Sequence, residues 1–265
     1  MRKLDEISAS FIFFTRLPLL HKKNLPNEAF EKVVVWWPYT GWVIAVIWAA
    51  IYYFFSHLVN QAAGAFLAYS AVVWLTGALH EDGLADFVDA FGIKHSCGKT
   101  LEIMKDSHIG TFGVLGLIFY FGISISFIAA VPVTIGAMIF IAGNPWVKFL
   151  TGQIVNFLPY ARKPDQSKNQ TMYVKNSITD ILVSFLGAII PIILIIVYAQ
   201  SLLIPILTGM GITIIGLVFL IILMKKRING YTGDCCGATA LLLNMFFIFS
   251  SVIMINLLDY ASRPW

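Results

Sequence analysis

The sequence predicts an all-α protein: a polytopic integral membrane helical bundle of about seven transmembrane helices, with an N-terminal amphipathic helix lying at the interface. Three observations lead there. Mean hydropathy is +0.81. Charged residues make up 12% of the chain against 58% hydrophobic, where a soluble domain carries roughly 25% charged residues. Apolar runs of about 20 residues, the length that crosses a hydrocarbon core, alternate with short polar stretches. Residues 1–265 are read as a single membrane domain.

Leu4, Ile7, Phe11 and Phe14 recur at spacings of three and four, which places the amphipathic helix over residues 4–17, ended by Pro18. No removable signal peptide is expected, because Met1-Arg2-Lys3-Leu4-Asp5-Glu6 leads into a polar-interrupted segment rather than an apolar core. The first span runs from about Val33 to His57, and its Trp36, Trp37, Pro38 and Trp42 suit an aromatic belt. The second, from about Ala62 to Leu79, delivers the chain to His80. The third and fourth cover about Phe112 to Val131 and Val133 to Leu150; Asn144-Pro145 should kink the latter beside a polar side chain facing the bundle interior. Spans five to seven follow at about Ile178 to Tyr198, Leu203 to Met224 and Ala238 to Leu258.

With a cytoplasmic N-terminus and seven crossings, all of the 18 Lys and Arg residues except Arg263 fall on the cytoplasmic side, as the positive-inside rule requires. That set includes Lys22, Lys23, Lys148, Lys163, Lys168 and Arg227. The loops 80–111, 159–177 and 225–237 then open to one compartment, and the net charge of +4 reflects topology rather than a nucleic-acid partner. Cys97, Cys235 and Cys236 form no CxxC, which argues against structural zinc and a disulfide framework.

Chemistry is concentrated in His80-Glu81-Asp82-Gly83-Leu84-Ala85-Asp86-Phe87-Val88-Asp89, where four carboxylates occupy nine positions. In a helix, at about 100° per residue, Asp82, Asp86 and Asp89 share an arc of roughly 60°. Carboxylates so placed repel one another, so a cation is expected between them, and an all-oxygen donor set favours Mg2+ or Mn2+ over zinc. Gly83 is disfavoured inside a helix by about 1 kcal/mol, so it is expected at a tight start or where a ligand approaches the backbone. The plain alternative is a solvated acidic loop.

Elsewhere, Asp106 could complete a metal site, while Lys105 and His108 offer a point charge and a donor to phosphate oxygens; a surface helix leading into the membrane is the alternative. Arg162 is a bidentate phosphate partner in form, and Lys163 a topology signal. Around Thr232 and Asp234, both candidates for substrate binding, free amides at a helix start suit phosphate, and Asp234 can also serve as N-cap. His21 and His57 are read as interfacial residues without a role. Together these features indicate phosphoryl or phosphodiester transfer on an amphipathic substrate. The competing classes are a membrane transporter using carboxylates for ion or proton coupling and a different membrane phosphoalcohol transferase. No GxSxG points to a serine hydrolase.

Phe14-Thr15-Arg16-Leu17-Pro18, the His80 to Asp89 block, Leu101-Glu102-Ile103-Met104-Lys105-Asp106-Ser107 with Gly110, Tyr160-Ala161-Arg162, and Gly230-Tyr231-Thr232-Gly233-Asp234 with Gly237-Ala238 resemble, in order, the signature blocks of the cobalamin synthase family, the adenosylcobinamide-GDP ribazoletransferases. The resemblance implies a Mg2+-dependent enzyme of a bacterial or archaeal inner membrane, with its active-site loops cytoplasmic. It would join alpha-ribazole, or its 5'-phosphate, to adenosylcobinamide-GDP, giving adenosylcobalamin or its phosphate and GMP. It further implies that Asp82 and Asp86 hold Mg2+ on the pyrophosphate, with Glu81 and Asp106 as further ligands, and that Asp89 or His80 takes the proton of the attacking ribose hydroxyl. Arg16, Lys105, His108 and Arg162 would steady the departing phosphate, and Asp234 would serve a second ion or the substrate. The partners implied are the two substrates and the lipid bilayer, with a homo-oligomer left open. Against the family pattern, Glu81 replaces an apolar residue, His108 an arginine, and Leu241 and Asn244 stand where glutamates often follow Gly237-Ala238.

Overall fold

In lipid the backbone has no hydrogen-bonding partner but itself, so long apolar runs must be helical. The computed structural model describes residues 3–17, 25–162 and 174–262; Arg2, Pro18, His21, Lys22, Lys23, Lys163, Lys168 and Arg263 lie outside them. The helices are α1 (Lys3–Phe14), α2 (Val33–Leu58, preceded by a 3-10 helix at Asn27–Lys32), α3 (Gln61–Thr76), α4 (Leu79–Gly92), α5 (Cys97–Ile103), α6 (Thr111–Ile128), α7 (Val133–Gly152), α8 (Ile154–Phe157), α9 (Ile178–Tyr198), α10 (Leu203–Ile228) and α11 (Gly233–Ser262). Among the described residues, six are long and apolar enough to cross a membrane: α2, α6, α7, α9, α10 and α11. The protein is thus a polytopic all-α membrane bundle.

The sixfold set is arranged around α7. In its most apolar stretch 72% of residues are buried, against 22% in α6 and 28% in α10, so α7 is enclosed while those two face lipid. α2 packs on it through aromatic rings, Trp48 stacking on Phe140 at 3.9 Å and on Tyr52 at 4.8 Å. The N-terminal helix packs on the bundle, but not through the whole expected stripe: Leu4 is 68% exposed, whereas Ser8, Ala9, Ser10 and Phe14 are buried, Phe14 stacks on Trp37 at 4.4 Å, and the Ser10 hydroxyl donates to the Val33 carbonyl at 3.0 Å.

The expected second span is corrected. α3 has 16 residues, about 24 Å at 1.5 Å per residue, short of a hydrocarbon core of about 30 Å. The chain then bends by 96° into α4, so 61–92 is a broken span rather than a straight one reaching Leu79. Gly77 and Ala78 make the bend, both left-handed with φ of 69° and 58°. Glycine adopts this freely, whereas alanine does so at a cost of roughly 1–2 kcal/mol, and Arg16 braces the corner. Its Nη2 donates to the Gly77 carbonyl at 3.3 Å and its amide to the Leu75 carbonyl at 2.7 Å. A cation at the C-terminal end of α3 also meets the favourable end of the helix dipole.

The bend lays α4 against the bundle, so the acidic stretch is a packed helix and not the start of a solvated loop. Leu84, Ala85, Phe87 and Ala90 are buried. Two glycines set how close α4 comes to α11: a Cβ on Gly83 would lie 2.9 Å from the Asp234 carbonyl oxygen, and one on Gly237 3.2 Å from the His80 Cα. Gly83 therefore lies inside the helix, and what approaches it is the α11 backbone rather than a ligand. At the other end, Arg227 of α10 donates to the carbonyls of Ala90 at 3.3 Å, Phe91 at 3.4 Å and Ile93. The residue read as a topology signal thus satisfies the last carbonyls of α4.

Gly83→Val must force α4 and α11 apart. Overpacking of this kind costs typically about 1–3 kcal/mol, which lowers the unfolding midpoint in detergent by several degrees. An unchanged midpoint in a thermal-shift measurement contradicts the backbone-to-backbone contact.

Candidate active site

The carboxylates of α4 are divided between two sides of the helix. Asp82 is exposed and Asp86 and Asp89 are half-buried, whereas His80 and Glu81 are buried. Asp82 and Asp86, one turn apart, have Cβ atoms roughly 5–6 Å from each other and offer a pair of oxygen ligands. Asp89 extends the same stripe, but both its oxygens are engaged: Oδ2 accepts from the Gly110 amide at 2.7 Å and Oδ1 from the Gly113 amide at 2.8 Å. These amides belong to the unpaired first turn of α6, so Asp89 caps that helix across 21 residues of chain. Among the described residues no three His, Cys, Asp or Glu groups converge closely enough to hold a metal by themselves. The predicted convergence of three carboxylates becomes a pair plus a cap, and Asp89, expected to take a proton, has a structural task at the start of α6.

The other expected ligands are displaced too. Asp106 accepts from the His108 amide at 3.0 Å and lies 2.8 Å from His108 Nδ1; the amide first, and then the ring, hold its carboxyl below the usual carboxylate range. Asp106 and His108 thus satisfy one another in an exposed turn, beside an exposed Lys105. Glu81 points into the bundle, where it borders a cavity of about 30 Å3 together with His80, Asn144, Lys148 and Asn244. Lys148 donates to Asn144 Oδ1. His80 is walled in by aromatic rings, 5.5 Å from Trp37 and 6.1 Å from Phe14 between ring centres. Neither Glu81 as a ligand nor His80 as a base faces the Asp82 side of the helix.

The remaining pieces meet α4 through α11. The Tyr231 amide donates to the Pro159 carbonyl at 3.0 Å and the Ala161 amide to the Tyr231 carbonyl at 2.8 Å, a short parallel bridge at Tyr160 and Tyr231. Gly230 permits it, since a Cβ there would lie 3.1 Å from the Ala161 Cα. The bridge brings Arg162 Nη2 to 3.7 Å from Asp234 Oδ2. Thr232, expected among the substrate-binding residues, is buried and its hydroxyl accepts from the Cys235 amide at 3.3 Å, so it caps α11. Asp234 sits in the first turn of α11 rather than at the cap, where the helix dipole favours its charge.

All five sequence blocks therefore gather on α4: Arg16 at its entrance, Gly110 on Asp89, Asp234 and Gly237 against its backbone, and Arg162 behind Asp234. The sequence profile of the cobalamin-5-phosphate synthase family matches residues 6–252, a range that contains every block. The chain belongs to that family. An adenosylcobinamide-GDP ribazoletransferase of Leptospira interrogans is 32% identical over 248 residues, 89% of this chain and 92% of its own. One of Clostridium tetani is 31% identical over 253 residues, covering 92% and 95%, and one of Shewanella amazonensis 28% over 254 residues, covering 92% and 93%. No solved structure matches the chain.

In this cobalamin-5-phosphate synthase family member, sequence reasoning placed Asn144 in the bundle interior, where it is buried, but missed its partner. Lys148, counted there as a cytoplasmic charge, is 5% exposed within α7. The signal was its position four residues after Asn144, which puts two polar side chains on one face of an apolar helix.

The cap on α6 is separable from chemistry. Asp89→Ala leaves two first-turn amides unmet and should cost about 1–2 kcal/mol, read as a lower unfolding midpoint and faster hydrogen exchange at Gly110 and Gly113. Asp89→Asn, which keeps one acceptor, should lose less. Equal behaviour of the two variants contradicts the cap.

Proposed function

We propose that this chain is a Mg2+-dependent membrane transferase that joins a ribazole, free or as its 5'-phosphate, to adenosylcobinamide-GDP with release of GMP. The observation that carries the reading is the gathering of five sequence blocks on one helix, whose outward face presents Asp82 and Asp86. In the reaction a ribose hydroxyl attacks the phosphorus bonded to the cobinamide side. The bond between that phosphorus and the bridging oxygen breaks, and GMP leaves with the bridging oxygen and its electron pair.

Two carboxylates one turn apart suit Mg2+, which takes one or two protein carboxylates and fills its octahedron with water and substrate phosphate oxygens. Bound there it would neutralise the pyrophosphate. The chain's own groups position the rest. Arg16, fixed at the α3–α4 corner by Gly77, places a guanidinium at the start of α4, and Arg162, beside Asp234, places a second one near the α11 first turn. Planar guanidinium groups so fixed can grip phosphate oxygens at two points. The hydroxyl proton leaves on the open side, where Asp82 and Asp86 stand. The basic residues flanking this side, among them Lys94, Lys99, Lys105, Lys225 and Lys226, support a cytoplasmic orientation in an inner membrane.

Purified protein given Mg2+, adenosylcobinamide-GDP and alpha-ribazole should yield one GMP per cobamide by mass spectrometry; absence of both products discards the reading. Asp82→Asn should lower kcat/KM at least about a hundredfold, given several kcal/mol for metal-assisted charge stabilisation, with an unchanged unfolding midpoint. Chelation should stop turnover, and added Mg2+ restore it.

A further inference from the structure

α3 and α6 leave between them a pocket of about 370 Å3 that Glu81 of α4 borders, a volume within the roughly 300–1,000 Å3 of small-molecule sites. Phe66, Tyr69 and Trp74 of α3 and Phe121 of α6 give it aromatic walls. Its polar lining includes Ser70, whose hydroxyl donates to the Phe66 carbonyl at 2.8 Å, and Glu81. That side chain is 8% exposed, and its Oε2 has no hydrogen-bond partner. A carboxylate inside a membrane bundle marks function by default, and a buried acceptor without a donor calls for one.

We propose that this pocket receives the nucleoside end of the ribazole substrate, with the flat, weakly polar base between the aromatic walls and a ribose hydroxyl donating to Glu81 Oε2. The proposal rests on the transferase reading above and deepens it. Three features select this occupant. Offset and edge-to-face contacts favour an aromatic ring among aromatic walls. A lipid acyl chain would fill the same walls yet bring no O–H to Glu81. Finally, Glu81 directly precedes Asp82 on α4, so the pocket borders the helix that carries the carboxylate pair.

The pocket therefore sets affinity for the acceptor nucleoside and not for the nucleotide-activated substrate. The test uses the full chain in nanodiscs, measuring KM for alpha-ribazole and for adenosylcobinamide-GDP separately. Val73→Trp, which fills the pocket from its α3 wall, should raise the KM for alpha-ribazole roughly tenfold or more, about 1.4 kcal/mol per tenfold, with the KM for adenosylcobinamide-GDP within about twofold of wild type. Glu81→Gln, which keeps the shape, should raise the ribazole KM alone while the unfolding midpoint holds. Unchanged ribazole KM in both variants overturns the pocket while the transferase stands, and marks a lipid site if native mass spectrometry finds phospholipid lost from Val73→Trp. A loss shared by both substrates also overturns it. Wild-type protein that makes no cobamide overturns the transferase reading instead.

Discussion

Everything at this site depends on how closely two helix backbones approach. α4 can rest on α11 only because Gly83 and Gly237 lack side chains, with Asp234 and His80 backbone atoms 2.9 and 3.2 Å from where a Cβ would stand. Close approach through small residues is how membrane helices associate without a hydrophobic driving force between them. Here it has a chemical consequence. It fixes the rotation of α4 about its own axis, and that rotation decides which carboxylates see the loops and which see the bundle.

The rotation separates neighbours in sequence into different environments. Asp82 and Asp86 stand on the open side, Asp89 turns to the α6 amides, and Glu81 turns inward toward Lys148. Four like charges on one short helix would repel; distributing them among a helix start, a buried ammonium and an open face relieves this. The same distribution leaves two carboxylates on one face, a number that suits the proposed Mg2+ when a diphosphate supplies further oxygens. The corner at Gly77 and Ala78, braced by Arg16, allows α4 to lie across the bundle at the end of α3.

The spans were legible because the hydrocarbon thickness imposes a length: Ile178–Tyr198 forms the helix the apolar run defined, and the others differ by a few residues at their ends. The broken second span was not, since residues 62–79 are predominantly apolar and only the left-handed geometry at Gly77 and Ala78, braced by Arg16 61 positions before Gly77, reveals the bend. Helical periodicity gave the common stripe of Asp82, Asp86 and Asp89. It could not show that Asp89 meets the α6 amides, which lie 21 and 24 residues away. Lys148 was misread since charge near a span end resembles topology, and only packing shows a lysine enclosed by α2, α4 and α11. The cap of α11 is Thr232 rather than Asp234, a shift of two residues that helix-start signals do not resolve.

The central claim is that α4 holds the cation through Asp82 and Asp86 alone and shares it with the diphosphate. Mn2+ in place of Mg2+ makes this visible by electron paramagnetic resonance with 31P double resonance on the purified chain. The account predicts 31P coupling to bound Mn2+ when adenosylcobinamide-GDP is present, lost in a variant carrying both Asp82→Asn and Asp86→Asn and kept in Asp106→Asn. The same coupling persisting in the double variant would contradict it.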